Sequence, residues 1–276
     1  MKKFAALMLA MLMALSLVAC GQEAAPANDN TLVLGTSADY APFEFMYADD
    51  NGEMQYAGID VSVAKYIAED MGKDLVVENM AFDYLLTSLQ KGDYDMVIAA
   101  MESNEERLAA ADFSDPYYTD IPAMILVKAD AAEAYKTLAD FEGKSVGAQT
   151  ATTKLDIVND DMTGAVAVPL QNVQDLVNEL VNDKIDAIVL DGSVAMEYAD
   201  ANPDLVIADA SAELGEAAPY CVAVAKGDPK GLLPAINAAI AKMTEENAVE
   251  QFIANADALV DSGAAEEVSA DAPAEG

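Results

Sequence analysis

The chain has no histidine. That removes Ser-His-Asp and Cys-His nucleophilic chemistry, and every histidine metal site, at once. Cations are scarce: there are 14 lysine and arginine residues against 49 aspartate and glutamate, a formal charge of −35, and Arg107 is the only arginine. A surface so short of positive charge cannot make the phosphate contacts on which nucleic-acid binding depends. It does suit a secreted, highly soluble molecule kept apart by self-repulsion. Long apolar runs are missing too; Phe4 to Leu15 is too short for a comfortable membrane span. No repeat of solenoid length is visible. What is present is 276 residues with a 53% apolar fraction, enough for one large or two ordinary domains.

Lys2 and Lys3 ahead of Phe4 to Leu15 read as a targeting segment, a signal peptide over residues 1–19. It ends Leu17-Val18-Ala19-Cys20-Gly21, which resembles a bacterial lipobox. That resemblance implies lipid on Cys20 as the mature N-terminus; the other reading is an ordinary secretory signal cut near Ala19. The small, polar segment Gln22 to Asn30 completes a flexible tether over residues 20–30. With Cys20 lipidated, Cys221 has no disulfide partner. It lies in the strand-like run Tyr220 to Val224 and reads as a buried, inert thiol. Residues 262–276 are small and acidic and read as a disordered tail.

Between these ends the pattern alternates strand and helix. Strands are expected at Leu32 to Gly35, Leu75 to Val77, Met96 to Ala100, Ala123 to Val127, Ser145 to Ala148, Val166 to Val168, Ala187 to Leu190 and Val222 to Ala225. Helical stripes run through Ile59-Val63-Ile67-Met71, Phe82-Leu85-Leu86-Leu89 and Val173-Leu176-Val177-Leu180-Val181. Helices are also expected from Thr152, from Ser193, and along Leu232 to Leu259. Strands separated by helices require crossover connections and hence mostly parallel sheets in an α/β fold.

The stretch from Asp95 to Tyr118 carries the chemistry. A short apolar strand ends in Ala99-Ala100. Asn104-Glu105-Glu106-Arg107 opens a helix with an N-cap residue and acids in its first turn. Asp112 to Tyr118 is a turn into a second extended run, because Pro116 pushes Asp115 out of helical geometry. A guanidinium here can grip a carboxylate through two parallel hydrogen bonds, or pair with Glu105 or Glu106 on the surface.

This stretch resembles the central signature of the amino-acid-binding proteins that feed ATP-driven importers, in the type II periplasmic-binding-protein fold. The shared pattern is a strand, a small-residue pair, a hydroxyl residue, a helix with Glu-Arg, then D-F-S-x-P-Y-Y, here Ala99, Ala100, Glu102, Glu106, Arg107 and Asp112 to Tyr118. Gly35 to Phe45 resembles the same family's opening strand and aromatic lid. The resemblance covers about Thr31 to Asn255. It implies two α/β domains with mostly parallel sheets joined by a two-segment hinge: domain one over 31–116 plus 221–260, domain two over 122–215, and hinge segments 117–121 and 216–220. It also implies an extracytoplasmic monomer, anchored to the membrane through lipid, that binds a free L-amino acid in the cleft and passes it to an ABC permease, with no cofactor, no metal and no catalysis.

Matched position by position, the resemblance makes Arg107 the carboxylate clamp and Asp191 the ammonium partner. Tyr40 and Phe82 are aromatic walls, and Ala99, Ala100, Gln149, Thr152 and Thr153 line the ligand. Asp191 also reads as an Asp-Gly turn residue, Thr152 and Thr153 as N-caps, and Phe82 as partly core. Three positions depart from the pattern. Ala151 stands at the loop glycine and limits positive φ there. Glu102 stands where a hydroxyl is usual, and Ser37 where relatives holding lysine- or arginine-type ligands often have aspartate. Asp39 and Glu44 read as solvated. An ionised Glu102 in the cleft leaves one negative charge to spare unless it is protonated or bonded elsewhere. With Ser37, this places a neutral polar ligand slightly ahead of a cationic one and both well ahead of glutamate or aspartate. Glu102 also leaves open a cyclohexadienyl-type dehydratase on the same fold, using a buried carboxyl as acid-base catalyst. A third possibility is a sensor input domain.

Overall fold

In the computed structural model, residues 30–49, 51–262 and 265–266 are described. Cys20, the signal segment, the tether and most of the acidic tail lie outside them.

The strands are β1 (Thr31–Thr36), β2 (Asp39–Tyr40), β3 (Glu44–Ala48), β4 (Met54–Ala57), β5 (Asp74–Asn79), β6 (Met96–Val97), β7 (Ala111–Tyr118), β8 (Met124–Lys128), β9 (Ser145–Gln149), β10 (Val166–Leu170), β11 (Ala187–Leu190), β12 (Leu205–Ile207), β13 (Tyr220–Ala225) and β14 (Ala265–Glu266). The α-helices are α1 (Ile59–Asp70), α2 (Leu85–Lys91), α3 (Glu105–Ala110), α4 (Thr153–Asp160), α5 (Val173–Val181), α6 (Gly192–Ala201), α7 (Leu233–Glu245) and α8 (Ala248–Asp261).

Two five-stranded sheets dominate. The first has the order β5-β1-β6-β13-β7 and the second β10-β9-β11-β8-β12. β1 runs parallel to β6, and β9 runs parallel to both β10 and β11. The strands next to the passages between sheets break the rule: β13 is antiparallel to β6 and β7, and β8 is antiparallel to β11 and β12. The chain leaves the first sheet after β7 and returns to it at β13, so it passes between the sheets twice. Tyr117, Tyr118 and Tyr220 are strand residues, with Tyr220 paired to Tyr118; the connecting segments are therefore 119–123 and 214–219. A third, small sheet is built on the hairpin β2-β3-β4.

Sequence and structure agree most closely where burial is one-sided. α5 buries Val173, Leu176, Val177 and Leu180 against the second sheet, while Val181, the last residue of the expected stripe, is exposed. The stripe from Phe82 is not one helix. A 3-10 turn over Phe82–Tyr84 precedes α2, and only Leu85 and Leu89 of the four apolar residues are fully buried. The strand expected over Met96 to Ala100 pairs only through Met96–Val97, because the chain turns away to build the site, with Ala100 at φ 44°. Cys221 is buried with a free thiol, which burial pushes upward in pKa.

Candidate functional site

Four charged side chains from loops at the ends of both large sheets meet in one buried cluster. Arg107 and Glu102 come from the segment between β6 and β7, Lys154 from the first turn of α4, and Asp191 from the end of β11. All four are buried.

Arg107 sits where the sequence places it, in a short helix capped by Asn104, whose Oδ1 accepts from the Arg107 backbone N–H at 2.8 Å. The guanidinium does not pair with Glu105 or Glu106. Its Nη1 donates to the Glu102 carbonyl at 2.9 Å and to Glu102 Oε2 at 3.0 Å, and its Nη2 donates to the Ala151 carbonyl at 3.2 Å. The Phe82 ring lies against it, 5.4 Å from the guanidinium carbon, so this aromatic wall stacks on the clamp itself.

Lys154 is absent from the expected site residues, yet it is the centre of the cluster. Its side chain is 7% exposed. Nζ donates to Glu102 Oε1 at 2.7 Å and is ion-paired with Asp191 Oδ1. Asp191, at the N-terminus of α6, makes no capping bond. Its Oδ2 accepts from the Tyr40 hydroxyl at 2.7 Å. Asp191 is therefore aimed into the cluster and is not merely a turn residue. Two cations and two carboxylates balance, so the tetrad is close to neutral.

The α4 loop follows the expected outline with one correction. Thr152 is the N-cap: its hydroxyl accepts from the Leu155 N–H at 3.3 Å and donates to the Gln149 carbonyl at 2.7 Å. Gln149 Nε2 donates to the Gln171 carbonyl at 2.9 Å. Thr153 reaches the site through its hydroxyl, which donates to Glu102 Oε1 at 2.9 Å. Ala151 was expected to resist positive φ, but it adopts 62°. A left-handed alanine costs roughly 1–2 kcal/mol relative to a residue without a Cβ. Ala151→Gly is therefore expected to stabilise the protein by about 1 kcal/mol, read as a higher urea midpoint; an unchanged or lower midpoint would show the loop is unstrained.

A second correction concerns Asp39 and Glu44, which are buried at 2% and 1% exposure, not solvated. With Ser37, Tyr40, Ala99 and Ala100 they line the same cavity as the tetrad. Asp39 Oδ1 accepts from Ser37 Oγ at 3.0 Å and Oδ2 from the Val173 N–H at 3.2 Å. Glu44 Oε2 has no hydrogen-bond partner. Neighbouring Asp60 accepts from the Ala100 N–H at 2.6 Å and the Tyr117 hydroxyl at 2.7 Å. Among the described residues, none of these three acids is in an ion pair.

The charge states follow from these surroundings. Burial pushes the Asp39 and Asp60 carboxyls up to about 6, against hydrogen bonds that lower them. Glu44 is pushed well above the usual carboxylate range, first by burial and then by the facing Asp60. Burial would raise Glu102 as well, but Lys154 and Arg107 outweigh it and hold that carboxyl at about 2. A carboxyl whose pKa rises on folding binds protons more readily when folded, so its contribution to stability is lost as pH rises through the folded value. A lowered carboxyl loses its contribution as pH falls from its unfolded value toward the folded one. The melting temperature is thus expected to peak near about pH 4–5 and to fall between about pH 5 and 7, with Asp39→Asn flattening part of that slope. A melting temperature that rises steadily from pH 5 to 7 would contradict the buried acids.

The side chains nearly fill the cavity, leaving about 10 Å³ of free space, room for roughly one water. Across it the loops of the two sheets are tied by Lys154 to Glu102, Arg107 to Ala151, Tyr40 to Asp191 and the Val173 N–H to Asp39.

The sequence profile of the bacterial extracellular solute-binding proteins, family 3, matches residues 32–255. The arginine-binding extracellular protein ArtP of Bacillus subtilis is 34% identical over 220 residues, covering 77% of this chain and 83% of ArtP. Among solved structures, an amino acid ABC transporter substrate-binding protein, AbpA from Streptococcus pneumoniae, bound to L-arginine, superposes with a TM-score of 0.78. It is 32% identical, with 84% of this chain and 96% of that chain covered. An ancestral arginine-binding protein bound to glutamine superposes with a TM-score of 0.72 at 35% identity, covering 81% and 96%.

Proposed function

Because the chain belongs to the bacterial extracellular solute-binding proteins of family 3, with the type II periplasmic-binding-protein fold, we propose that it is an extracytoplasmic receptor for a free L-amino acid with a cationic side chain, delivered to an ATP-driven importer. In this reading residues 31–118 with 220–260 and residues 124–213 are two domains that hinge at the two connecting segments and close over the ligand. Arg107 clamps the ligand α-carboxylate and Asp191 its α-ammonium, with Tyr40 and Phe82 as walls.

The observation that carries the side-chain charge is the pair of buried acids, Asp39 and Glu44, that line the cavity outside the tetrad. Neither Asp39 nor Glu44 is in an ion pair among the described residues, and although Asp39 accepts from Ser37 and the Val173 N–H and Glu44 shares a hydrogen bond with Asp60, Glu44 Oε2 keeps no partner. A buried carboxyl of this kind is costly unless a donor or cation meets it. A guanidinium or ammonium from a ligand supplies both. The neutral-polar preference rested on Ser37 and on a Glu102 bonded away from the ligand. Glu102 is bonded to Lys154 as that preference assumed, but Asp39, two residues from Ser37 and lining the cavity, supplies the acid that Ser37 lacks. The L-arginine named in the solved relative fits the same chemistry.

The dehydratase alternative loses its main support. A carboxyl held at about 2 by two cations is a poor proton donor near neutral pH.

A thermal-shift screen against the standard amino acids and L-ornithine tests the reading, since a ligand bound only by the folded state raises the melting temperature by mass action. L-arginine, L-lysine or L-ornithine should give the largest shift. A shift with none of the amino acids would remove the reading altogether.

The lipid anchor belongs to the same proposal and rests on Leu17-Val18-Ala19-Cys20 ahead of the tether. Cys20→Ala should leave folding intact and move the protein from the membrane fraction to the medium. Wild-type protein found wholly in the medium, with an unmodified Cys20, would exclude the anchor.

A further inference from the structure

We propose that Glu102 and Lys154 together act as an internal substitute for an amino-acid zwitterion, and that a ligand must displace this pair to reach its anchors. The proposal rests on the reading of the cleft as an amino-acid site and adds a determinant of affinity to it.

Each half of the pair has the surroundings that one half of an amino acid requires. The Glu102 carboxylate takes the Arg107 guanidinium on Oε2 at 3.0 Å and the Thr153 hydroxyl on Oε1 at 2.9 Å. Guanidinium plus hydroxyl donors is how an α-carboxylate is held. The Lys154 ammonium is ion-paired with Asp191, whose other oxygen is fixed by the Tyr40 hydroxyl. A carboxylate so positioned is how an α-ammonium is held. The two halves touch, Nζ to Oε1 at 2.7 Å, so opposite charges lie side by side as they do in an amino acid.

The anchors are consequently engaged. Arg107 Nη1 donates twice to Glu102 and Nη2 donates to Ala151, and the remaining space does not admit an amino acid. The two side chains belong together chemically. Glu102 alone would place a fourth carboxyl beside Asp191 and the two buried acids; Lys154 alone would place a second cation beside Arg107. Only the pair is neutral. Exchange with a ligand then swaps one zwitterion for another: the ligand carboxylate replaces Glu102 on Arg107 and Thr153, and the ligand ammonium replaces Lys154 on Asp191. Asp39 and Glu44 are not part of the exchange, so the pair sets how tightly any amino acid binds and leaves side-chain selectivity to those acids.

The test uses the full chain and L-arginine as the probe. Calorimetric titration of wild type, E102T, K154Q and the double variant E102T/K154Q, each checked for a native circular-dichroism spectrum, should show the double variant binding at least about tenfold tighter than wild type. Equal or weaker binding by the folded double variant overturns the proposal. A second measurement needs no altered protein in the binding step. The Lys154 side-chain ammonium, assigned by its loss in K154Q, should give a solvent-protected nitrogen-15 NMR signal in wild type that disappears on saturation with L-arginine. A protected signal unchanged at saturation means the pair stays in place and the proposal is wrong. If neither wild type nor any variant takes up an amino acid, the amino-acid reading itself fails, and the displacement with it; normal binding with an undisturbed pair sinks the displacement alone.

Discussion

Replacing Arg107 by alanine is expected to weaken L-arginine binding by about 2–4 kcal/mol, the scale for removing one partner of a buried charge pair. That is roughly thirty- to a thousandfold in Kd. Arg107 is the single arginine and its guanidinium is buried between Glu102, the Ala151 carbonyl and the Phe82 ring, so no other residue can replace its planar fork. Lysine should recover only part of the loss, because it presents a point charge and not two parallel donors. Calorimetric titration of the folded variants checks this. Unchanged affinity in the alanine variant would place the clamp elsewhere.

Replacing Lys154 by methionine is expected to destabilise the fold by about 3–5 kcal/mol, the usual consequence of breaking a buried ion pair from one side. Glu102 and Asp191 would then face each other with one cation, Arg107, on only one of them. Asp191, already pushed up by burial despite the neighbouring lysine, would rise further and take a proton. The loss should therefore shrink as pH is lowered from neutral. Adding E102T to K154M should restore a large part of the stability, because the two side chains act as a unit and their effects are not additive. Urea denaturation at two pH values measures all of this. Additive losses from the two changes would mean that Lys154 and Glu102 do not depend on each other.

The sequence made the framework legible because burial there follows simple periods. The α5 stripe, the all-buried run of β11 and the N-cap positions of Asn104 and Thr152 are local properties. Arg107, Tyr40 and Asp191 were legible from their matched positions and do converge in space. The hairpin β2-β3-β4 was not, since its strands are short and carry Asp39 and Glu44 among the apolar residues. Acids are rarely buried, and reading these two as solvated followed that rule; only their three-dimensional neighbours overturn it. Lys154 was missed for the same reason, being a lysine beside two attractive threonines. A signal was available: an acid at Glu102, where a hydroxyl is usual, needs a cation, and Lys154 is the lysine in the α4 loop that the same resemblance aims at the cleft.

The most direct test of the central claim is calorimetric titration of the wild-type protein with L-arginine, L-glutamine and L-glutamate at neutral pH. The buried acids Asp39 and Glu44 that line the cavity predict that L-arginine binds tightest, L-glutamine more weakly, and L-glutamate weakest of the three. Tightest binding by L-glutamate would contradict the account.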